Sequence, residues 1–467
     1  MTEAFSVPSH SVSIVATAAR DTSLATSRVT ADSIDRGAVE SPAAVLGASA
    51  AHPADLPGRV SSVVAPSRVP LSTLAELSGT PLLSQLGLVP SRTLDAYLSA
   101  HPETVAGLLA APPAAADVSV WWASLTPKAQ GALRSASSEL VGNLDGIPAT
   151  ARNEANQLWL GESITALESA VASNPARSVQ SESTKTIHML TEVKTALGTA
   201  HSVPQRSLLT VDDEGSGRAA IVLGDLDTAD FVTYLVPGMF FTVDGQIGDW
   251  TDDAARIYDE QVSWLSLLGE SDSDYSAKTV AVVAWMGYET PDLTSIATLD
   301  LAERGADVLA SAIDGLKADR SADPPYISIV AHSYGSTTAL ISLSKYALDI
   351  DALTVIGSPG SAVTSVDELS VRDGNVFVGE AAWDPVPNTA YFGRDPGAAG
   401  FGAKHMNVGG GLDLITNEIL GASVGHNGYF SAGSESVRNL ALIGIGQGQL
   451  VTDGSAEDRD RTLALVE

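Results

Sequence analysis

The chain has 467 residues, of which 44% are hydrophobic and only 5% aromatic, so it can build a large core from aliphatic side chains. It contains no cysteine, which excludes disulfides, cysteine-ligated metals and thiol catalysis. The net charge of −30, from 26 basic and 56 acidic residues, repels phosphate backbones and anionic lipid surfaces, so we expect no nucleic-acid partner.

Residues 1–68 are rich in Ala, Ser, Val and Thr without a sustained period, which predicts a flexible or partly helical leader. The first residues, MTEAFSVPSHSVSIVATAAR, carry Glu3 and lack the basic and apolar regions of a Sec signal. No uninterrupted apolar stretch is long enough to span a bilayer. We therefore expect a cytoplasmic protein without integral membrane association.

Residues 69–204 predict a helical region, because apolar residues recur at helical spacing in one segment after another. Three examples are PLSTLAELSGTPLLSQLGL, SRTLDAYLSAHPETVAGLLAA and TPKAQGALRSASSELVGNL. The region can be interpreted as a lid over an active site, a dimerisation surface or an independent module that binds a partner. A lid would present apolar side chains such as Trp121, Trp122 and Trp159 to the site.

After Pro204 the pattern changes to strands, and residues 205–450 predict an α/β domain that is followed by an acidic tail, 451–467. The predicted strands are RSLLTVD, RAAIVLGDL, FVTYLVPG, AKTVAVVAWMGY, PYISIVAH, IDALTVIGSPG and NVFVGEAAWD. The first two, joined by DEGSG, predict a hairpin. The later strands are apolar on both faces and alternate with helices, which predicts a mostly parallel sheet flanked by helices. Sites in such sheets lie beyond the carboxyl ends of the strands.

The segment YISIVAHSYGSTTALISLSKY, residues 326–346, has the order strand, tight turn, helix that a nucleophile elbow requires. Its centre reads Ala-x-Ser-x-Gly, with Ala331 where the usual motif has glycine. Ser333 is therefore the candidate nucleophile. His332 points away from it along the strand, so we interpret His332 as a supporting residue.

A serine hydroxyl needs a general base within hydrogen-bond reach, usually a histidine that a carboxylate orients. Only His405 and His426 follow Ser333 in the chain. His426 lies in the Gly-rich loop SVGHNGYFSAGS, from which an imidazole can fold back over the sheet, and we prefer it to His405, which a structural or surface role suits better. Asp384 directly follows a predicted strand and is the candidate acid. The alternative acids are Glu380, Asp367 and Asp395.

Acyl transfer also requires two backbone N–H donors for the oxyanion. One is expected from Tyr334, which follows the nucleophile, and the other from the loop VPGMFF after the third strand. Gly238 permits that turn, and Met239 is the preferred donor, with Phe240 as the alternative. No metal-binding histidine motif and no Walker lysine occurs, so we predict neither a metal nor a cofactor.

Several segments occur together in a fixed order and resemble a known family. They are WWASLTPKAQGALRSASSELVGNLDGIPATARNEANQ (121–157), VPG (236–238), AHSYGS (331–336), GSPG (357–360), WDPVP (383–387), DPGAAGFGA (395–403) and HNGYF (426–430). In this combination the chain resembles actinobacterial α/β-hydrolases that carry a domain of unknown function. The resemblance implies a helical N-terminal part and an α/β-hydrolase core, whose triad falls by motif on Ser333, Asp384 and His426.

These features predict a serine hydrolase that acts on a small-molecule ester, such as a lipid or acyl ester, through a Ser-Asp-His triad and an acyl-enzyme. An amidase or peptidase, a thioesterase and an acyltransferase would use the same machinery, and the fold does not choose among them. The alternative of another class is a catalytically silent scaffold whose residues 69–204 bind a protein partner. The complete Ser, Asp and His set in the expected order favours the enzyme.

Overall fold

The computed structural model describes residues 68–173, 176–292, 295–296 and 298–455, and all of them fall within one compact unit. Apart from Arg68, the predicted leader lies outside the described residues, as does the predicted acidic tail from residue 456 onward. None of the described helices combines the length and the apolar character needed to cross a membrane.

The region before the sheet is helical, as predicted. A 3₁₀ helix, Leu71–Glu76, is followed by α1 (Gly79–Leu86), α2 (Ser91–Ala100), α3 (Pro102–Ala110), α4 (Ala115–Ser124), α5 (Pro127–Ala136), α6 (Ser138–Asn143), α7 (Ala149–Ser173) and α8 (Arg177–Leu197). Helices α1 to α6 enclose a core of their own, in which Trp121 and Trp122 are buried among leucines and valines. The lid interpretation required these two tryptophans to face the active site, and this expectation is wrong, because the cluster that buries them contains no residue of the candidate site.

The predicted boundary at residue 204 is a change from helices to strands, and the hydrophobic core continues across it. Met189, Leu190 and Val193 of α8 are buried in the same cluster as Leu208 and Val211 of the first strand. The helical region thus contributes directly to the core around the sheet.

The sheet has eight strands, and its class agrees with the prediction. They are β1 (Arg206–Asp212), β2 (Arg218–Gly224), β3 (Phe231–Val236), β4 (Val280–Met286), β5 (Tyr326–His332), β6 (Ala352–Ile356), β7 (Val376–Gly379) and β8 (Lys404–His405), in the spatial order β1-β2-β4-β3-β5-β6-β7-β8. The pairs β1–β2 and β2–β4 are antiparallel, and all other neighbours are parallel. Two two-residue strands, β9 (Gly411–Leu412) and β10 (Ile419–Leu420), form a separate hairpin.

Helices cover both faces of the sheet. Those that follow β3 are α9 (Val243–Ser271), α10 (Ser273–Ser276), α11 (Asp300–Asp319), α12 (Tyr334–Lys345) and α13 (Glu435–Gly444). Helix α9 lies outside the predicted elements, although its buried Ile247, Trp250, Ala254 and Ile257 recur at helical spacing. Short 3₁₀ helices occur at Val366–Glu368, Arg372–Gly374, Gly428–Phe430 and Gly448–Leu450.

The segment GNLDGIPATARNEANQ contains three asparagines, and the side chain of each forms hydrogen bonds with the backbone of the edge strand β1. Asn143 accepts from the Val211 N–H at 3.2 Å and donates to the Val211 carbonyl at 3.0 Å. Asn153 accepts from the Leu208 N–H at 2.8 Å, and Asn156 donates to the Leu208 carbonyl at 3.1 Å. The outer edge of the sheet is thereby closed to pairing with another strand.

Candidate active site

Ser333 occupies the turn between β5 and α12, with φ 55° and ψ −130°. A positive φ is costly for a residue with a Cβ and persists only where the surroundings enforce it. Here the Ser333 N–H donates to the Ile356 carbonyl at 2.9 Å, and the Ser333 carbonyl accepts from the Ser336 N–H at 2.9 Å. The turn is therefore fixed on both sides and has the geometry of a nucleophile elbow.

The packing around this turn explains why the motif has glycine at position 335 and can have alanine at position 331. A Cβ on Gly335 would lie 2.4 Å from the Pro237 carbonyl oxygen and 2.6 Å from that of Val236, which backbone atoms cannot accommodate. Ala331, in contrast, lies within β5 and pairs in register with Val236 and Val355 on either side. An extended residue in a regular ladder needs no glycine, so alanine is tolerated there.

The structure brings the Ser333, His426 and Asp384 side chains into one hydrogen-bonded line. The His426 Nδ1 lies 2.9 Å and 3.0 Å from the two carboxylate oxygens of Asp384, and its Nε2 lies 2.8 Å from the Ser333 Oγ. A carboxylate only accepts, so Nδ1 carries the proton and Nε2 accepts from the serine hydroxyl. The imidazole is therefore held in the tautomer that can take a proton from Ser333.

The Asp384 carboxylate is buried and receives further donors. Tyr429 donates its hydroxyl proton to Oδ2 at 2.7 Å, and the Val386 N–H donates to Oδ1 at 2.9 Å. Burial alone would raise the pKa of Asp384, but the hydrogen bonds from His426, Tyr429 and Val386 together lower this pKa below its usual value. The acid therefore stays ionised opposite the imidazole at neutral pH.

Tyr429 is a residue of the site to which the sequence assigned no role. Its hydroxyl also accepts from the Ala381 N–H at 2.9 Å, so it links the end of β7 to the carboxylate. Burial raises the pKa of Tyr429, and the hydroxyl stays a donor. The only signal in the sequence was its place three residues after His426, in HNGYF.

We expect Tyr429→Phe to lower the free energy of unfolding by about 1–3 kcal/mol, because the buried Asp384 carboxylate loses a donor. Loss of a donor to the carboxylate raises the folded-state pKa of Asp384 towards its unfolded value, so in the profile of unfolding free energy against pH the stability that ionised Asp384 contributes should be smaller and should be fully lost at a higher pH than in wild type. Tyr326→Phe, at the far end of β5, serves as the control and should leave the pH profile in place. An unchanged profile in Tyr429→Phe would contradict the assigned contact.

His332 lies beneath His426 and is buried, which agrees with a supporting position. Its ring is 4.7 Å from the His426 ring between centroids, and its Nε2–H donates to the His426 carbonyl at 2.8 Å. Its Nδ1 has no hydrogen-bond partner among the described residues. Burial, with a smaller contribution from His426, lowers the pKa of His332 to about 4, so the ring is neutral.

Because His332 is buried and neutral, we expect the stability of the folded protein to depend on pH. In the unfolded chain His332 is protonated near its ordinary pKa of about 6.5, whereas in the folded protein it is protonated only near pH 4. The stability that neutral His332 contributes is therefore fully present above about pH 6.5. As the pH falls from about 6.5 to about 4, the free energy of unfolding of wild type should fall by about 3 kcal/mol more than that of His332→Gln. Urea unfolding of both proteins at several pH values measures the difference, in which the other titrating groups cancel. Parallel curves would disprove a neutral buried His332.

The predicted oxyanion donors lie beside Ser333. Tyr334 is the first residue of α12, so its N–H has no helical carbonyl to bond. A Cβ on Gly238 would lie 2.6 Å from the Ser333 Cβ, so the loop after β3 packs directly against Ser333. The Phe240 N–H donates to the Pro291 carbonyl at 3.0 Å. Of the two alternatives, Phe240 is therefore engaged elsewhere, and Met239 remains the candidate.

The alternative residues lie outside this constellation. His405 is exposed in β8, where it pairs with Val378. Asp395 accepts from the backbone amides of Asn388 and Gly397, at 3.1 Å and 2.9 Å, and so stabilises a turn. Asp367 lies in an exposed 3₁₀ helix, and the Glu380 side chain packs against Gly397. Within the described ranges, no cluster of three or more His, Asp or Glu side chains is arranged to hold a metal ion.

The sequence is similar to a known family model and to several mycobacterial proteins. Residues 212–394 match a family model described as alpha/beta hydrolase, a match that includes Ser333 and Asp384 and ends before His426. An uncharacterized protein of Mycobacterium tuberculosis is 28% identical over 388 residues, which cover 73% of this chain and 57% of that protein. An uncharacterized protein of Mycobacterium bovis is 28% identical over 241 residues, or 50% of this chain and 85% of that protein.

The chain thus spans just 57% of the length of the first of these mycobacterial relatives. The family match lies on the segment from the end of β1 to the loop after β7, where the structure has the expected mostly parallel sheet with helices on both sides. Sequence and topology therefore agree, and the resemblance to the α/β-hydrolases is confirmed.

Proposed function

We propose that this protein is a serine hydrolase that cleaves a carboxylic ester through an acyl-enzyme, with Ser333 as nucleophile, His426 as base and Asp384 as orienting acid. One observation carries the proposal: Ser333 Oγ, at a strained turn, lies 2.8 Å from the His426 Nε2, while Nδ1 of the same ring faces a buried carboxylate. Nucleophile, base and orienting group are the three parts that serine activation needs.

In the proposed reaction, the Ser333 Oγ attacks the ester carbonyl carbon and its proton passes to the His426 Nε2. The carbonyl oxygen becomes an oxyanion, which the N–H groups of Tyr334 and Met239 would bind. Collapse breaks the bond to the alcohol oxygen, which leaves with the proton from His426. Water then attacks the acyl-enzyme, gives a proton to His426, and releases the acid as that proton returns to Ser333.

An amidase, a thioesterase or an acyltransferase would use the same groups. We favour an ester over an amide because an alcohol oxygen leaves the tetrahedral intermediate more readily than an amine nitrogen does, so an ester makes the smaller demand on the same Ser333–His426 pair. A silent scaffold would gain nothing from a serine held at a positive φ, which costs on the order of 1–3 kcal/mol.

The test is covalent labelling of the purified protein with a fluorophosphonate probe, which reacts with activated serines. Wild type and the control Ser344→Ala, an exposed serine of α12, should be labelled at one site, whereas Ser333→Ala should not. Circular dichroism confirms that each variant is folded. Equal labelling of Ser333→Ala, or a folded wild type that neither labels nor hydrolyses any ester, would overturn the proposal, and the second outcome would favour a scaffold.

A further inference from the structure

Three aromatic side chains of the described residues are exposed, and all three lie on loops at the carboxyl end of the sheet. Phe240 is 46% exposed, Trp383 89% and Tyr391 61%. Every other described Phe, Trp and Tyr side chain is buried or partly buried. A soluble surface seldom leaves large apolar groups together without a binding role, so their common location requires an explanation.

Trp383 directly precedes Asp384 and has φ 63°, a conformation that is unusual for a bulky residue. The residue before it, Ala382, pairs across a short backbone bridge with Val424, which is 57% exposed and lies two residues before His426. The bridge joins Ala382 to Val424, and the Gly425 N–H donates to the Ala382 carbonyl at 2.8 Å. The segments that carry the acid and the base thus each present an apolar side chain to solvent.

Phe240 borders the site on the side of the oxyanion donors. It follows Met239 and also has a positive φ, 64°, fixed by the hydrogen bond from its N–H to Pro291. Tyr391 packs on Phe392, with ring centroids 4.7 Å apart, and Phe392 packs on Tyr334 at 5.4 Å. The loops after β3 and β7 thus each expose an aromatic side chain near residues of the candidate site.

We infer that Phe240, Trp383 and Val424 form an apolar rim that binds the acyl chain of the substrate, so that the enzyme prefers esters of medium or long apolar acyl groups to small ones. This inference rests on the proposed ester hydrolysis. The segments that carry these side chains also carry Met239, Asp384 and His426, so an acyl group attached at Ser333 would lie beside them. The rim is exposed, so each methylene that it covers should be only partly removed from water.

The occupant we favour is the chain of one substrate molecule and not a lipid surface. Each rim residue lies within two positions of Met239, Asp384 or His426, so a group bound to the rim is also beside the reacting atoms. The net charge of −30 works against adsorption to anionic membranes, which would otherwise be the natural target of exposed aromatic residues.

The test compares kcat/KM for 4-nitrophenyl acetate, butanoate, hexanoate and octanoate, each kept below the concentration at which it aggregates. Full burial of one methylene is worth about fourfold and half burial about twofold, so octanoate should exceed butanoate by on the order of 10- to 200-fold. Trp383→Asn and Val424→Ser should lower the octanoate-to-acetate ratio by at least about fivefold each, and Trp383→Phe should restore most of it. The control Val120→Ser, on exposed α4, should leave the ratio unchanged.

Each result either supports the rim or overturns it. Activity that depends on Ser333 but has equal kcat/KM for all chain lengths would overturn the rim and leave the proposed hydrolysis intact. Chain-length preference that Trp383→Asn and Val424→Ser do not alter would also overturn it. Binding of wild type to neutral phosphatidylcholine vesicles that these variants lose, without a change in the ratio, would assign the rim to a lipid surface instead. A protein without fluorophosphonate labelling or esterase activity fails at the proposed function itself.

Discussion

Ser333→Ala and His426→Ala are each expected to lower kcat/KM for ester hydrolysis by on the order of 10⁴- to 10⁶-fold, with little change in stability. The reason is the single contact of 2.8 Å between the Ser333 Oγ and the His426 Nε2, since either half alone cannot generate the attacking alkoxide. The double variant should be no slower than the slower single variant, because the second deletion removes a group that no longer has a partner.

The measurement is initial-rate hydrolysis of 4-nitrophenyl esters by variants purified separately from wild type, with thermal unfolding as the check on folding. Ser344→Ala is the matched control and should retain full activity, because its hydroxyl lies on the exposed end of α12 and donates to the Ile341 carbonyl. Residual activity of Ser333→Ala within about 100-fold of wild type would contradict nucleophilic catalysis by this serine.

The sequence predicted the sheet well because its signals are local. The hairpin of β1 and β2, the parallel strands and the elbow each follow from residues adjacent in the chain, and the structure has them where they were expected. Strand order depends instead on which crossovers pack best, so the position of β4 between β2 and β3 could not be deduced from these segments. Helix α9 has a periodic apolar pattern of the same local kind, from which it can be predicted.

The candidate site likewise has parts that local sequence predicts and parts that depend on contacts between distant segments. Chain order and loop chemistry pointed to Ser333, Asp384 and His426, whose side chains the structure brings together. Contacts between distant segments were beyond reach: the Tyr429 hydroxyl reaches Asp384 only because the chain folds back over β7, and the Phe240 N–H is engaged by Pro291. The burial of Trp121 and Trp122 likewise depends on how six helices pack, which composition does not specify.

Asp384→Asn is expected to lower kcat/KM by on the order of 10⁴-fold, because an amide cannot replace the carboxylate in this environment. The carboxylate accepts from His426 Nδ1, Tyr429 and the Val386 N–H. An asparagine offers one oxygen to these donors. Wherever its NH₂ group faces His426, Nδ1 must accept a hydrogen bond, so the ring proton sits on Nε2, which then cannot activate Ser333.

The double variant Asp384→Asn with Tyr429→Phe separates this tautomer effect from the simple loss of charge. Without the Tyr429 hydroxyl, the NH₂ group can turn towards position 429, and the oxygen is free to accept from Val386 and from the His426 Nδ1–H, which restores the productive tautomer. We expect it to recover about tenfold over Asp384→Asn, although Tyr429→Phe alone is destabilising. Asp367→Asn, an exposed carboxylate, is the matched control. Additive losses would mean that Asp384 acts by its charge, and a single variant within about tenfold of wild type would exclude it as the orienting acid.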